Sequence, residues 1–233
     1  MGRTIIVGDV HGCSAELDAL LDRVAFSMGD ALVFVGDLVA RGPDSRGVLA
    51  IVRQTGAIVV RGNHEQRLLE YRDGTDRSPL SRTHAELVKT LGDDDWHLME
   101  LSVLSLELPQ HRAWVVHAGV VPRVPLAAQK PGALLRMRCL DRAGRAVERS
   151  GPMLWGLAYD GPEHVVFGHN AMVEPQVHRF ATGIDTACVY GGRLTAMVLQ
   201  KKQAIPRGRD VKPLLVSVPA RAAYVSSVRS QVA

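Results

Sequence analysis

Six residues of this chain have the types and the spacing to hold metal ions: Asp9, His11, Asp37, Asn63, His117 and His169. Each lies just past an apolar run, and most sit beside a glycine. In Gly8-Asp9-Val10-His11-Gly12 the two donors are two residues apart, so on an extended segment they project to the same side. The flanking glycines let other groups come close. Taken singly, an Asn at a strand end forms turns, and a His there is a surface or core residue. Six mixed oxygen and nitrogen donors on successive strand ends are not turn chemistry. They exceed what one four-coordinate ion needs, so two divalent ions sharing a bridging carboxylate are expected, with Asp37 as the bridge. The set has no thiolate and suits a transition metal, manganese first, with Co, Fe, Ni or Zn as alternatives. Two such ions about 3.5–4 Å apart activate water and neutralise charge at phosphorus, which predicts phosphoester or phosphoanhydride hydrolysis.

Other residues then take roles around that centre. His64 follows Asn63 and breaks the ligand spacing; its titration range suits a general acid for the leaving oxygen. Arg41 lies four residues past Asp37, placed to fork onto a phosphate. Arg138 or Arg136 is a candidate second clamp. The expected catalytic set is His64, Arg41 and Asp37; the substrate-binding set is Arg41, Asn63, Arg138 and Arg136. Arg61 reads equally as a structural ion pair or a substrate contact. Cys13 reads as a small buried residue. His84, His97, His111, His164 and His178 lack glycine-flanked strand ends and read as surface or structural.

The elements that position these residues show in the hydrophobic pattern. Thr4–Val7, Ala31–Val35 and Ala57–Val60 are short apolar runs, each ending in a polar cluster. Between them, Ala15–Ala25 and Arg46–Thr55 carry apolar residues at helical spacing, the second capped by Asp44 or Ser45. Strand–helix–strand–helix–strand predicts a parallel sheet with right-handed crossovers, and its carboxyl ends are where such sheets place active sites. Residues 66–112 interrupt the alternation: a small helical cap insert (helices over 66–72, 83–91 and 94–101), then a hairpin, Leu104–Leu108 with Ala113–Val116. Residues 122–151 read as a loop or hairpin insert. His164–Phe167, Arg179–Ile184 and Arg193–Leu199 are further strands. The basic segment 200–233 holds an edge strand over 213–219 and then frays.

The chain has 233 residues, 46% hydrophobic and 22% charged, which fits one α/β domain spanning 1–233. A net charge of +4 favours anionic substrates without indicating nucleic-acid binding. Three widely spaced cysteines form no disulfide framework and no zinc motif, and the reducing cytoplasm is the expected compartment. No secretory signal and no membrane span is read. The oligomeric state is not legible.

The ordered set Gly-Asp-x-His-Gly (8–12), Gly-Asp-x-Val-x-Arg-Gly (36–42), Gly-Asn-His-Glu (62–65), His-Ala-Gly (117–119) and Gly-His (168–169) resembles the calcineurin-like metallophosphoesterases, within them the phosphoprotein phosphatase family and its bacterial relatives. The resemblance implies a β-sandwich of mixed sheets flanked by helices. Asp9, His11 and Asp37 would hold one metal, and Asp37, Asn63, His117 and His169 the other. His64 would be the acid, and Arg41 and Arg138 would touch phosphate. Where eukaryotic protein phosphatases have an Asp that orients the catalytic His, this chain has Ala40. Gly36–Pro43, Arg136–Cys139 and Asp185–Gly192 instead resemble the bacterial symmetrical bis(5′-nucleosyl)-tetraphosphatases, which implies cleavage of diadenosine tetraphosphate to two ADP. Glu65 departs from that pattern, which has Asp. The rival expectations are a protein Ser/Thr/Tyr phosphatase on the same scaffold, action on nucleoside-polyphosphate-capped RNA, and a non-catalytic nucleotide or metal sensor. The last would show degraded ligands, and none of the six is degraded.

Overall fold

The computed structural model describes residues 2–226; the part of the frayed-tail expectation that falls on 227–233 lies outside the described residues. The elements follow the hydrophobic runs: β1 (Thr4–Val7), α1 (Ser14–Arg23), β2 (Ala31–Phe34), α2 (Ser45–Thr55), β3 (Ile58–Val59), α3 (Asn63–Asp73), α4 (Arg82–Val88), α5 (Asp93–Glu100), β4 (Ser105–Leu108) and β5 (Ala113–Val116). Then come α6 (Pro131–Arg136), β6 (Cys139–Leu140), β7 (Ala146–Val147), β8 (Met153–Leu154), α7 (Trp155–Ala158), β9 (His164–Phe167), β10 (Gln176–Val177), β11 (Ala181–Gly183), β12 (Arg193–Leu199) and β13 (Leu215–Pro219).

Two five-stranded mixed sheets form the centre, ordered β13-β12-β1-β2-β3 and β10-β11-β9-β5-β4. The expected parallel run is present: β1 pairs with β2, and β2 with β3, in parallel. Antiparallel β12 continues that sheet on its other side, so the sheet is mixed. In the second sheet β5, β9 and β11 run parallel and β4 closes the edge as the expected hairpin.

Side-chain alternation decides which layer each strand residue serves. Ile6, Val33, Val35 and Val60 of the first sheet meet Ala113, Val115 and Val166 of the second in an apolar layer between the sheets. Ile5, Val7 and Phe34 face the other way, onto Leu17, Leu20, Val48, Leu49 and Val52 of α1 and α2. Val116, Val165 and Phe167 pack outward on Leu134, Trp155 and Tyr159. Helix, sheet, sheet and helix thus stack as four layers, the expected architecture.

One local reading is corrected and another extended. Residues 122–151 contain a helix, α6, and β6 lies between β7 and β8 in a small three-stranded sheet. Residues 220–225 do not fray: the Arg221 N–H and the Tyr224 hydroxyl each donate to the buried Glu16 carboxylate at 2.8 Å. Within the insert, Leu68 of α3 and Trp96 and Met99 of α5 join the core with α2, and α4 brings His84 against His64.

Candidate active site

Each sheet delivers its chemistry just past a strand end, and the backbone there is bent against its preferences. His11, Asp37, Ala40, Arg41 and His169 all have left-handed φ, between 47° and 67°. Non-glycine residues enter this region at a cost, and such residues cluster at functional sites. Two neighbouring glycines are explained by crowding. A Cβ on Gly62 would strike Asp37, and one on Gly168 would strike the Asp9 carboxylate.

Asp37 lies at the centre, buried after β2. Its Oδ2 is 3.5 Å from His11 Nε2 and 3.9 Å from His64 Nε2, and its Oδ1 is 3.5 Å from His117 Nε2. His117 Nε2 is also 3.1 Å from Asn63 Oδ1. Two clusters share this carboxylate: His11, Asp37 and His64 on one side, Asp37, His117 and His169 on the other, the donor atoms of each lying within 4.8 Å of one another. The Asp9 carboxylate accepts the His169 N–H at 3.0 Å on both oxygens, tying the first strand end to the last. The structure therefore gathers Asp37, His11, Asn63, His117 and His169, with Asp9 bracing the group from below. It also brings His64 into the first cluster.

The ring nitrogens are already sorted for metal ligation. His11 Nδ1 lies 3.2 Å from the Val39 carbonyl, and His117 Nδ1 lies 3.0 Å from the Val35 carbonyl. Carbonyls only accept, so both Nδ1 atoms carry the proton and both Nε2 lone pairs face Asp37. Burial holds His11 down to about 4, with the Asp37 charge opposing, and likewise lowers His117, His169 and His64, the last well below the ordinary imidazole range expected of it from the sequence. Burial raises Asp37, but the imidazoles of His117, His64, His11 and His169 more than offset this and keep it ionised. Burial, then the charges of Asp185 and Asp37, push Asp9 well above the usual carboxylate range. Neutral imidazoles and crowded, buried carboxylates form a donor set that a divalent cation would relieve of charge, so these residues fit a metal centre.

Three residues at the site were given no role there by the sequence. Glu65, fully buried, accepts the backbone N–H groups of Asp37, Leu38 and Gly62 at 2.8–2.9 Å and of Val39 at 3.3 Å. Burial and the Asp37 charge push its carboxyl up to about 7, while these amides pull it back. Asp185, also buried, accepts the Ala187 N–H at 3.0 Å and is pushed up to about 6, chiefly by burial. His84, read as surface or structural, is buried and stacks on His64 with ring centroids 4.8 Å apart. For Glu65 there was a local signal, its place three residues past Gly62, from which a side chain reaches back to the N–H at the helix start.

The arginines divide. Arg41 Nη1 lies 3.1 Å from His11 Nε2, and its guanidinium sits 5.6 Å from the Tyr190 ring. Arg138 donates to the His169 carbonyl and to Asn170 Oδ1, both at 3.1 Å, at the rim of the second cluster. Arg136 is turned away, toward Glu70 of α3 at 3.8 Å. Arg61 donates to Ser102 Oγ, to the Glu100 and Ser102 carbonyls and to Gln66, so structural bonding absorbs its guanidinium. Cys13 is buried, as expected.

A mixed β-sandwich with shared Asp–His clusters at its strand ends defines a metal-dependent phosphoesterase. The chain belongs to the calcineurin-like phosphoesterases, a family of hydrolases whose model matches residues 2–173. It is 30% identical to the asymmetrical bis(5′-nucleosyl)-tetraphosphatase PrpE of Oceanobacillus iheyensis, over 86% of this chain and 90% of that one. It is 31% identical to the symmetrical bis(5′-nucleosyl)-tetraphosphatase of a Janthinobacterium species (87% and 94%) and 31% identical to serine/threonine-protein phosphatase 1 of Salmonella typhimurium (84% and 91%). A crystal structure described as a candidate diadenosine tetraphosphatase superposes with a TM-score of 0.81 at 37% identity over 94% of each chain. Among the described residues no helix is long and apolar enough to cross a membrane.

Proposed function

We propose that this protein hydrolyses dinucleoside polyphosphates, with diadenosine tetraphosphate as lead substrate and two ADP as products. The observation that carries the reading is one carboxylate, Asp37, shared by two histidine clusters. Asp9, His11 and Asp37 would hold one divalent ion, and Asp37, Asn63, His117 and His169 the other, manganese being the first candidate. When bound, the pair would supply an activated water and neutralise charge at phosphorus.

The chain's own residues do the rest. Arg41, beside the first cluster, and Arg138, anchored on the His169 carbonyl, would hold the phosphate oxygens from two sides. Asn63 would add an amide to the same phosphate. His64, with Nε2 facing Asp37, would protonate the oxygen of the departing ADP as the P–O bond breaks. Among the described residues His64 Nδ1 has no hydrogen-bond partner, consistent with Ala40 in the place of an orienting Asp. A polyphosphate leaves more readily than an alkoxide, so it tolerates an acid held this way. We read the protein as a cytoplasmic enzyme.

Relatives bearing both symmetrical and asymmetrical names make the position of attack the decisive measurement. Chromatography after incubation with diadenosine tetraphosphate and manganese should show ADP alone. ATP with AMP would move the attack to another phosphorus. The likeness to a protein phosphatase supports a second reading, phosphoprotein hydrolysis, which would give a higher kcat/KM on a phosphopeptide than on diadenosine tetraphosphate.

A further inference from the structure

The torsion that sets the plane of a histidine ring is soft and broadly two-fold. A catalytic imidazole therefore needs a partner that fixes its plane. Hydrogen bonding at the far nitrogen is one device, and His64 does not use it: its Nδ1 is buried without a hydrogen-bond partner among the described residues. The backbone of His64 is held, since its N–H donates to Asp37 Oδ1 at 3.0 Å, but that bond leaves the ring free to turn. Two other imidazoles meet the ring. His11 approaches edge-on, with centroids 4.8 Å apart and planes at 74°. His84 lies flat against it at 4.8 Å and 25°.

His84 is itself fixed. It comes from α4, is 7% exposed, and has its Nδ1 2.7 Å from the hydroxyl of Ser81. Ser81 is also the residue that caps α4, accepting the His84 N–H at 3.4 Å. The plane of His84 is thus set by the start of its helix, and its face lies on the face of His64.

We propose that His84 is a positioning residue for His64, holding the plane of the acid by stacking from the inserted helix where position 40 supplies no carboxylate. This rests on the reading of His64 as the general acid.

The test compares phenyl phosphate with 4-nitrophenyl phosphate on the manganese-loaded enzyme. Phenolate is the stronger base, so its departure depends more on the proton. His64→Asn should lower kcat for phenyl phosphate on the order of a hundredfold and affect 4-nitrophenyl phosphate far less. His84→Ala should lower kcat for phenyl phosphate about tenfold, with KM within about twofold and 4-nitrophenyl phosphate within about threefold. His84→Phe, which keeps a flat ring, should stay within about threefold of wild type on both. Adding His84→Ala to His64→Asn should cost nothing further.

Equal losses on both esters, no loss on either, or a Phe variant as impaired as the Ala variant would overturn the proposal while leaving His64 as the acid. If His64→Asn itself shows no dependence on the leaving group, the acid reading fails and this proposal falls with it. If His84→Ala does not fold, Ser81→Ala decides: a loss of a few-fold confined to phenyl phosphate supports the proposal, and an unselective loss or none overturns it.

Discussion

The Glu65 carboxylate accepts the backbone N–H of Asp37 at 2.9 Å, so the last residue of one motif fixes the central residue of another. It does so while buried and while also accepting the amides of Gly62, Leu38 and Val39. Glu65→Ala would leave these donors facing a cavity. Each unpaired buried amide costs about 1–3 kcal/mol, so a loss of at least about 3 kcal/mol is expected in urea unfolding. Glu65→Gln keeps one acceptor oxygen and should fall between. A stable Glu65→Ala protein would show that the loop after β2 holds itself.

Asp37 faces both histidine clusters, and among the described residues no second carboxylate belongs to both. If it bridges two ions, Asp37→Ala should lower turnover more than about a thousandfold and weaken manganese binding by calorimetry. Incubation with a chelator should abolish hydrolysis in the wild type, and manganese should restore it. Near-normal turnover of Asp37→Ala with manganese present would refute the bridge.

Far from the site, Arg3 and Asp30 tie β1 to the turn before β2, with Nη2 and Oδ2 2.8 Å apart. Hydrogen bonds from the Arg3 side chain, then from the backbone of Arg3 and Ser27, hold Asp30 down to about 2 from 3.8. A carboxyl depressed on folding contributes stability above its unfolded pKa and loses it as pH falls through the folded one. Asp30→Asn should therefore cost about 1 kcal/mol at pH 7, allowing for solvent screening. That deficit should shrink between roughly pH 4 and pH 2 in paired urea titrations, and a constant deficit would mean the pair contributes by packing alone.

What the sequence revealed and what it concealed have a common physical basis. That Asp9, His11, Asp37, Asn63, His117 and His169 come together was legible because each is marked locally, by an apolar run that ends and a glycine nearby. The layers were legible because alternation along β1 and β2 is short-range. Glu65 as a clamp was not, since three of its four donors, the amides of residues 37–39, come from a segment brought to it only by folding. Asp185 and His84 carry no spacing signal, and their role comes from what they face. α6 escaped because six residues behind a proline give too little periodicity to see. The packing of residues 220–225 escaped because its anchor, Glu16, lies 205 residues away from Arg221.

Position 40 joins the site to substrate choice. Ala40 has φ 66°, a region that Asp enters more readily than Ala, and its N–H is held by Ser45 Oγ at 2.9 Å. The change Ala40→Asp should therefore leave the fold intact, with Tm within a few degrees. If the new carboxylate reaches the unpaired Nδ1 of His64, it will orient the ring and stabilise its protonated form. Substrates with basic leaving groups should gain: the ratio of kcat for phenyl phosphate over 4-nitrophenyl phosphate is expected to rise by about tenfold. Diadenosine tetraphosphate, whose departing ADP needs the proton less, should change by no more than about threefold. An unchanged ratio in a folded Ala40→Asp variant would mean that orientation of His64 does not limit departure, and that residue 40 does not set the preference between anhydrides and esters.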